Sequence, residues 1–177
     1  MKTGRTMGAG RQEDEAFAAW LTPHLGALRR VARAFAEPPD QHDLMQELML
    51  AVWRGRPRFR GESADTTFVY RVAHNTALTW KRGENRRRRR REAIEAEMAL
   101  RLEADDAPET VSLLDRLYDA IRTLAPLDRS LILLSLDGQP YAEIARLHGL
   151  SETNVGARLS RVRRRLLDLV EEREDGA

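Results

Sequence analysis

Residues 141–166 read YAEIARLHGLSETNVGARLSRVRRRL. Ala145 is small where two helices must cross closely. Gly149, four residues on, supplies a turn through its easy access to positive φ. Ile144 and Leu150 fill the space between the two helices. Ser151 is placed to cap the second helix, and Glu152 suits its first turn. Val155, Leu159, Val162 and Leu166 then share one face, at steps of four, three and four. The other side carries Thr153, Asn154, Gly156, Ala157, Ser160, Arg161 and Arg164, with Arg158 and Arg165 at its edge. This is a helix-turn-helix pattern. Small residues lead its outer face and arginines follow. Such a face fits a major groove, with bases read near the helix start and phosphates held by the arginines. A plain helical hairpin with a basic solvated face is the alternative. Gly156 costs roughly 0.5–1 kcal/mol relative to alanine inside a helix, which a close approach of backbone to DNA would explain.

Upstream, Leu113, Leu114, Leu117, Ile121 and Leu124 give an amphipathic helix beginning near Val111. Pro126 opens a leucine-rich helix that Asp137-Gly138 ends. Before Val111 the charge changes sign abruptly. Arg86–Arg91 are six consecutive arginines, and Glu92–Glu109 holds seven carboxylates against Arg101. Pro108 lies near the end of this stretch. It marks 86–110 as a flexible acidic linker, partly helical over Ala93–Leu102, between domains at 12–85 and 111–172.

In the first domain the apolar series Phe17, Trp20, Leu21, Leu25, Leu28, Val31, Ala32, Phe35 steps by threes and fours. Pro23 kinks or splits that helix, and Pro38-Pro39 stops it. Residues 1–11, rich in Gly and polar side chains, are expected to be disordered. The next helix starts near Asp40. Its segment DLMQELMLAVWR (43–54) is apolar over more than the ~100° stripe a surface helix needs. Leu44, Leu48, Ala51 and Val52 can face a core, leaving Met45, Met49 and Trp53 for something else. Either the helix is central to its own domain, or its second stripe is a docking face with adaptable methionines. GRPRFRGESADTT (55–67) reads as a loop. A third helix over 66–82 has Phe68 or Val69, Val72, Ala73, Thr76 or Ala77, and Trp80 on its core side and Arg71, Asn75, Thr79 and Arg82 opposite. That row suits phosphate contact and base reading, or is an ordinary solvated face. No stretch alternates like a strand, so the fold is all-α.

Composition removes several function classes. The 177 residues include no cysteine, and His24, His42, His74 and His148 are scattered, so no metal site is expected. No apolar run approaches the ~20 residues of a membrane span, and the basic N-terminus lacks the apolar stretch of a secretory signal. A cytoplasmic protein without membrane insertion or cofactor follows. No convergent acid, base or nucleophile stands out, so an enzyme is not expected.

Two segments flanking the linker resemble one family, the extracytoplasmic-function (ECF) sigma factors of bacterial RNA polymerase. DLMQELMLAVWR resembles the region-two helix that docks on the polymerase clamp. FRGESADTTFVYRVAHNTALTWKR (59–82) resembles the stretch FRG-x-S-x-x-x-T-W-L-Y-R-I-A-x-N, which melts the −10 element and captures a flipped base. The helix-turn-helix, ending V-x-x-R-L-x-R-x-R-R-x-L over 155–166, resembles region four, which binds the −35 element. The linker leaves no room for region three.

The resemblance implies two helical domains, core polymerase and promoter DNA as partners, and an anti-sigma factor. It places Asp43, Gln46, Glu47, Leu48 and Trp53 in polymerase docking. Phe59, Arg60, Ser63, Thr67, Phe68, Arg71, Asn75 and Arg82 would serve the −10 element. Thr153, Asn154, Gly156, Ala157, Arg158, Ser160, Arg161 and Arg163 would serve the −35 element. The family's usual tryptophan is Phe68 here, and its common basic-residue–Ser pair is Gly156-Ala157. A stand-alone helix-turn-helix regulator would need neither 43–54 nor 59–82.

Overall fold

The computed structural model describes residues 6–61, 64–97 and 112–171, which hold α-helices and short 3₁₀ turns and no strand. Four helices precede the linker: α1 (Thr6–Leu21), α2 (Leu25–Phe35), α3 (Gln41–Gly55) and α4 (Asp65–Glu97). Four follow it: α5 (Leu113–Thr123), α6 (Pro126–Leu136), α7 (Tyr141–His148) and α8 (Glu152–Glu171).

Prolines set most of the boundaries. Pro23 lies in the 3₁₀ turn Thr22–His24 that divides α1 from α2, and Pro38-Pro39 open the turn before α3. Pro126 sits in the first turn of α6, where its missing N–H costs nothing. Gly138 and Gly149 hold φ of 72° and 65° beyond α6 and α7. The Leu150 N–H reaches back to the Ala145 carbonyl at 2.9 Å, closing α7.

Two boundaries differ from the sequence expectation. Helix α1 already begins at Thr6, inside the stretch expected to be disordered. Met7, Ala9, Arg11 and Gln12 are good helix formers that run into the amphipathic series. Helix α4 passes through Arg86–Arg91 to Glu97 instead of yielding to a linker at 86. Arginine and glutamate have high helix propensity, and like-charge neighbours one turn apart cost only about 0.2–0.5 kcal/mol each. The rest of the expected linker, 98–110, lies outside the described residues.

Leu28, Val31, Phe35, Leu44, Leu48, Val52, Val69, Tyr70 and Ala77 fill the core of the first group. Ile121, Leu131, Leu133, Ile144, Val155 and Leu159 fill that of the second. Each large side chain so buried contributes roughly 1.5–3 kcal/mol. The groups also pack on each other, α2 against α5 and α6, and α4 against α6 and α7. Arg129, only 4% exposed, organises this seam. Its Nε donates to the Leu124 carbonyl at 2.9 Å, its Nη1 to the Ala34 carbonyl at 3.2 Å, and its Nη2 to the Arg122 carbonyl. Arg122 Nη1 donates to the Arg33 carbonyl at 3.0 Å. Two guanidinium groups from the second half thus satisfy the last carbonyls of α2, at the negative end of its dipole.

Candidate nucleic-acid interface

The helix-turn-helix forms as its residues dictate. Ser151 Oγ accepts from the Asn154 N–H at 3.2 Å, capping α8. Val155, Leu159, Val162 and Leu166 are buried, which fixes the rotation of α8 and turns the opposite face outward. Thr153, Asn154, Ala157, Ser160 and Arg161 are exposed on it. Arg158 and Arg163 are engaged at home. Arg158 Nε donates to Asp128 Oδ1 at 3.0 Å, while Arg163 reaches Ser135 Oγ at 2.7 Å and the Tyr141 hydroxyl at 3.3 Å. Gly156 lies under the Tyr141 ring, where an added Cβ would meet the nearest ring carbon at 3.5 Å, an ordinary contact.

A second surface lies along α4. Arg71, Asn75, Thr79 and Arg82 are all exposed in one row, while Val69, Ala73 and Ala77 behind them are buried. Phe59, half-buried, packs its ring 4.7 Å from Phe68, and Arg60 is exposed nearby. Ser63 lies outside the described residues. Two expected base-contacting residues do not face solvent. Phe68 is 5% exposed and Thr67 8% exposed, its hydroxyl donating to Glu143 Oε2 of α7 at 3.2 Å. They face inward because they start α4 on the side that packs toward the other helices. Glu143 also takes a hydrogen bond from Arg146 at 2.5 Å, which, ahead of the Thr67 bond, holds its carboxyl below the usual range.

A third surface is the outer side of α3. Asp43, Gln46, Glu47 and Trp53 are exposed, Trp53 by 49%, with Met45 and Met49 half-buried between. Leu48 is fully buried and departs from its assignment to docking. It falls on the stripe of Leu44 and Val52, so it supports the exposed face from behind.

The packed halves bring together residues that no spacing announced. His74 of α4 and His148 of α7 meet edge to face, 5.1 Å between centroids, and His148 Nε2 lies 3.0 Å from Ser130 Oγ. Burial, then the neighbouring His148, lowers the His74 pKa to about 4, and burial lowers that of His148. Arg129 is another residue whose role depends on the packed halves. Its signal was present: a lone arginine in the apolar run LDRSLILL must bury its charge against acceptors or break the helix face. Among the described residues no group of three or more His, Asp or Glu is placed to hold a metal.

Residues 20–87 match the family described as Sigma-70 region 2, and residues 114–166 that described as Sigma-70, region 4. The ECF RNA polymerase sigma-E factor of Escherichia coli (strain K12) is 34% identical over 134 residues, covering 70% of this chain and 70% of that protein. Its namesake in Haemophilus influenzae is 32% identical over 134 residues, covering 70% and 71%. Among solved structures, the sigma factor RpoE in complex with the anti-sigma factor NepR from Bartonella quintana aligns at a TM-score of 0.62 and 22% identity. It covers 89% of this chain and 98% of that one. CnrH in complex with the cytosolic domain of CnrY aligns at 0.62 and 23%, covering 90% of each. At these identities the two structures speak for the fold.

Proposed function

The chain belongs to the ECF sigma factors, which direct RNA polymerase to promoters, and on that premise we propose how its surfaces divide the work. The exposed side of α3, with Asp43, Gln46, Glu47 and Trp53, docks on core polymerase. The α4 row of Arg71, Asn75 and Arg82, with Phe59 and Arg60 at its head, holds the −10 strand and one unstacked base. The outer face of α8 meets the −35 duplex through Thr153, Asn154, Ala157, Ser160 and Arg161. The observation that carries this reading is the α4 row, polar and exposed over an apolar face. A regulator that only grips duplex DNA has no use for it.

No catalytic group of its own is needed, because the polymerase makes the bonds. The chain contributes phosphate contacts, base contacts and the capture of an unstacked base. It acts in the cytoplasm, where promoters and polymerase meet. Among the described residues no helix is long and apolar enough to cross a membrane.

The packed halves represent a resting form. The −35 and −10 elements lie about 25 base pairs apart, roughly 85 Å at 3.4 Å per step. Even α4, at 33 residues, spans only roughly 50 Å at 1.5 Å per residue. The seam must therefore part for both elements to be held at once, and core polymerase supplies the separated docking points. The two solved neighbours are each held by a second protein, in one case a named anti-sigma factor. A partner of that class would act on this chain by holding the halves together.

Reconstitution with bacterial core polymerase, followed by run-off transcription on genomic fragments, tests the reading. Discrete starts that require this chain are expected. Tight, specific duplex binding by the chain alone, with no starts when core is added, would instead favour a stand-alone regulator.

A further inference from the structure

Trp20, Arg56 and Asp65 lie outside every surface described for docking or base reading, yet they converge at the first turn of α4. Trp20, in the last turn of α1, donates from Nε1 to Asp65 Oδ2 at 2.8 Å, across 45 residues of sequence. Asp65 is the first residue of α4, where its negative charge also favours the helix N-terminus. The Arg56 guanidinium lies over the Trp20 ring, 5.1 Å from its centroid, and over Phe17 at 5.8 Å. The Trp20 ring stands 6.3 Å from Phe68, which stands 4.7 Å from Phe59. From the other side Gly55 backs Phe68 so closely that a Cβ there would come within 3.2 Å of the ring. Phe68 is thereby held as an internal brace, and Phe59 is the outer end of the aromatic row.

A half-buried indole usually finds some acceptor, and gluing α1 to α4 is the plainest use of this one. Two features ask for more. The acceptor belongs to the helix that carries Arg71 and Asn75, and it sits at the end where that helix's rotation is set. The same cluster also fixes Phe59. Each residue of an α-helix turns the face by about 100°, so a first turn free to shift would carry Asn75 away from any strand placed against Phe59.

Building on the proposed function, we propose that Trp20 and Asp65 are positioning residues for promoter opening. Their bond locks the first turn of α4, so that the Asn75 row and the Phe59 ring meet the separated strand in one geometry. The clasp plays no part in polymerase docking or in −35 reading.

The test uses holoenzymes carrying Trp20→Phe, Asp65→Ala, the double substitution, and Asp65→Asn, which keeps an oxygen acceptor. Opening is followed by permanganate reactivity on a promoter mapped with the wild-type holoenzyme. Core affinity is measured in parallel. Transcription is then repeated on the same promoter carrying a pre-melted bubble across the −10 element. Trp20→Phe and Asp65→Ala should each slow opening about tenfold, and the double should be no slower, since both break one bond. Asp65→Asn should stay within about threefold of wild type, core affinity within about twofold, and the bubble should restore transcription of every variant. Wild-type opening rates in both single variants overturn the clasp. So does a loss of core affinity or a defect the bubble does not repair, because either marks a general packing role. Failure of the wild-type holoenzyme to initiate anywhere overturns the functional reading instead.

Discussion

Leu48 and Trp53 sit five residues apart on α3 and should separate stability from function. Leu48 is fully buried, so Leu48→Ala should cost about 2–5 kcal/mol, seen as a lower urea midpoint. Trp53 is half exposed, so Trp53→Ala should move that midpoint little while weakening core polymerase binding by 2 kcal/mol or more, roughly thirtyfold, in a competition assay. If the two effects came out reversed, the face assigned to docking would be the wrong one. Arg129 is a different case. Its charge is buried against three carbonyls, and the burial holds its pKa below the usual range despite the nearby Glu37. Arg129→Met keeps most of the volume but strands those carbonyls, at roughly 1–3 kcal/mol for each one that water does not reach. A distinct fall in the thermal midpoint should follow.

At the scale of a helix, α8 offers a clean trial of its internal glycine. Tyr141 leaves room for a Cβ at Gly156, so Gly156→Ala should stabilise the protein by about 0.5–1 kcal/mol through helix propensity alone. If the backbone at 156 approaches DNA closely, the same variant should bind a −35 duplex more weakly in a gel-shift titration. Unchanged affinity would show that the backbone at Gly156 does not approach DNA closely. Helix α8 was legible almost residue by residue, because its cap, its turn and its apolar ladder are local. Ser151, Gly149 and the four-residue ladder each act within a turn or two of chain. Helix α4 was legible only in part. Its exposed row followed from spacing, but its run through the arginines did not, because propensity outweighed a charge repulsion that water largely screens.

For the whole molecule, the seam between the halves should respond to acid. His74 meets His148 and the Phe35 ring, and Ser130 meets His148. The charged groups elsewhere along the seam are Arg129, Arg122 with Glu37, Arg30 with Asp137, Arg33 with Asp115, and Glu143. No carboxylate contributes to the His74 shift, which comes from burial and from His148. The folded pKa is depressed, to about 4 from 6.5, so between those values the unfolded chain binds the extra proton. Stability from this pair is whole above about pH 6.5 and falls as the pH drops toward 4. The urea midpoint should decline across that window, and His74→Phe should flatten the decline. A midpoint independent of pH between 7 and 5 would show that the two rings are not buried together in solution.

Local spacing was enough for most of the helices, their proline and glycine limits, the helix-turn-helix and its outward face, and the family to which these belong, but not for the start of α1 or the far end of α4. Each feature it settled rests on contacts within a few residues, where spacing alone specifies geometry. Only the packing of the helices settles the rest: that Thr67 turns inward to Glu143, that Arg129 closes the end of α2, and that Trp20 holds Asp65. These depend on groups dozens of residues apart, whose meeting is set by the packing of whole helices. Periodicity marks the faces of a helix but not which distant group arrives against each, so it cannot announce such pairs.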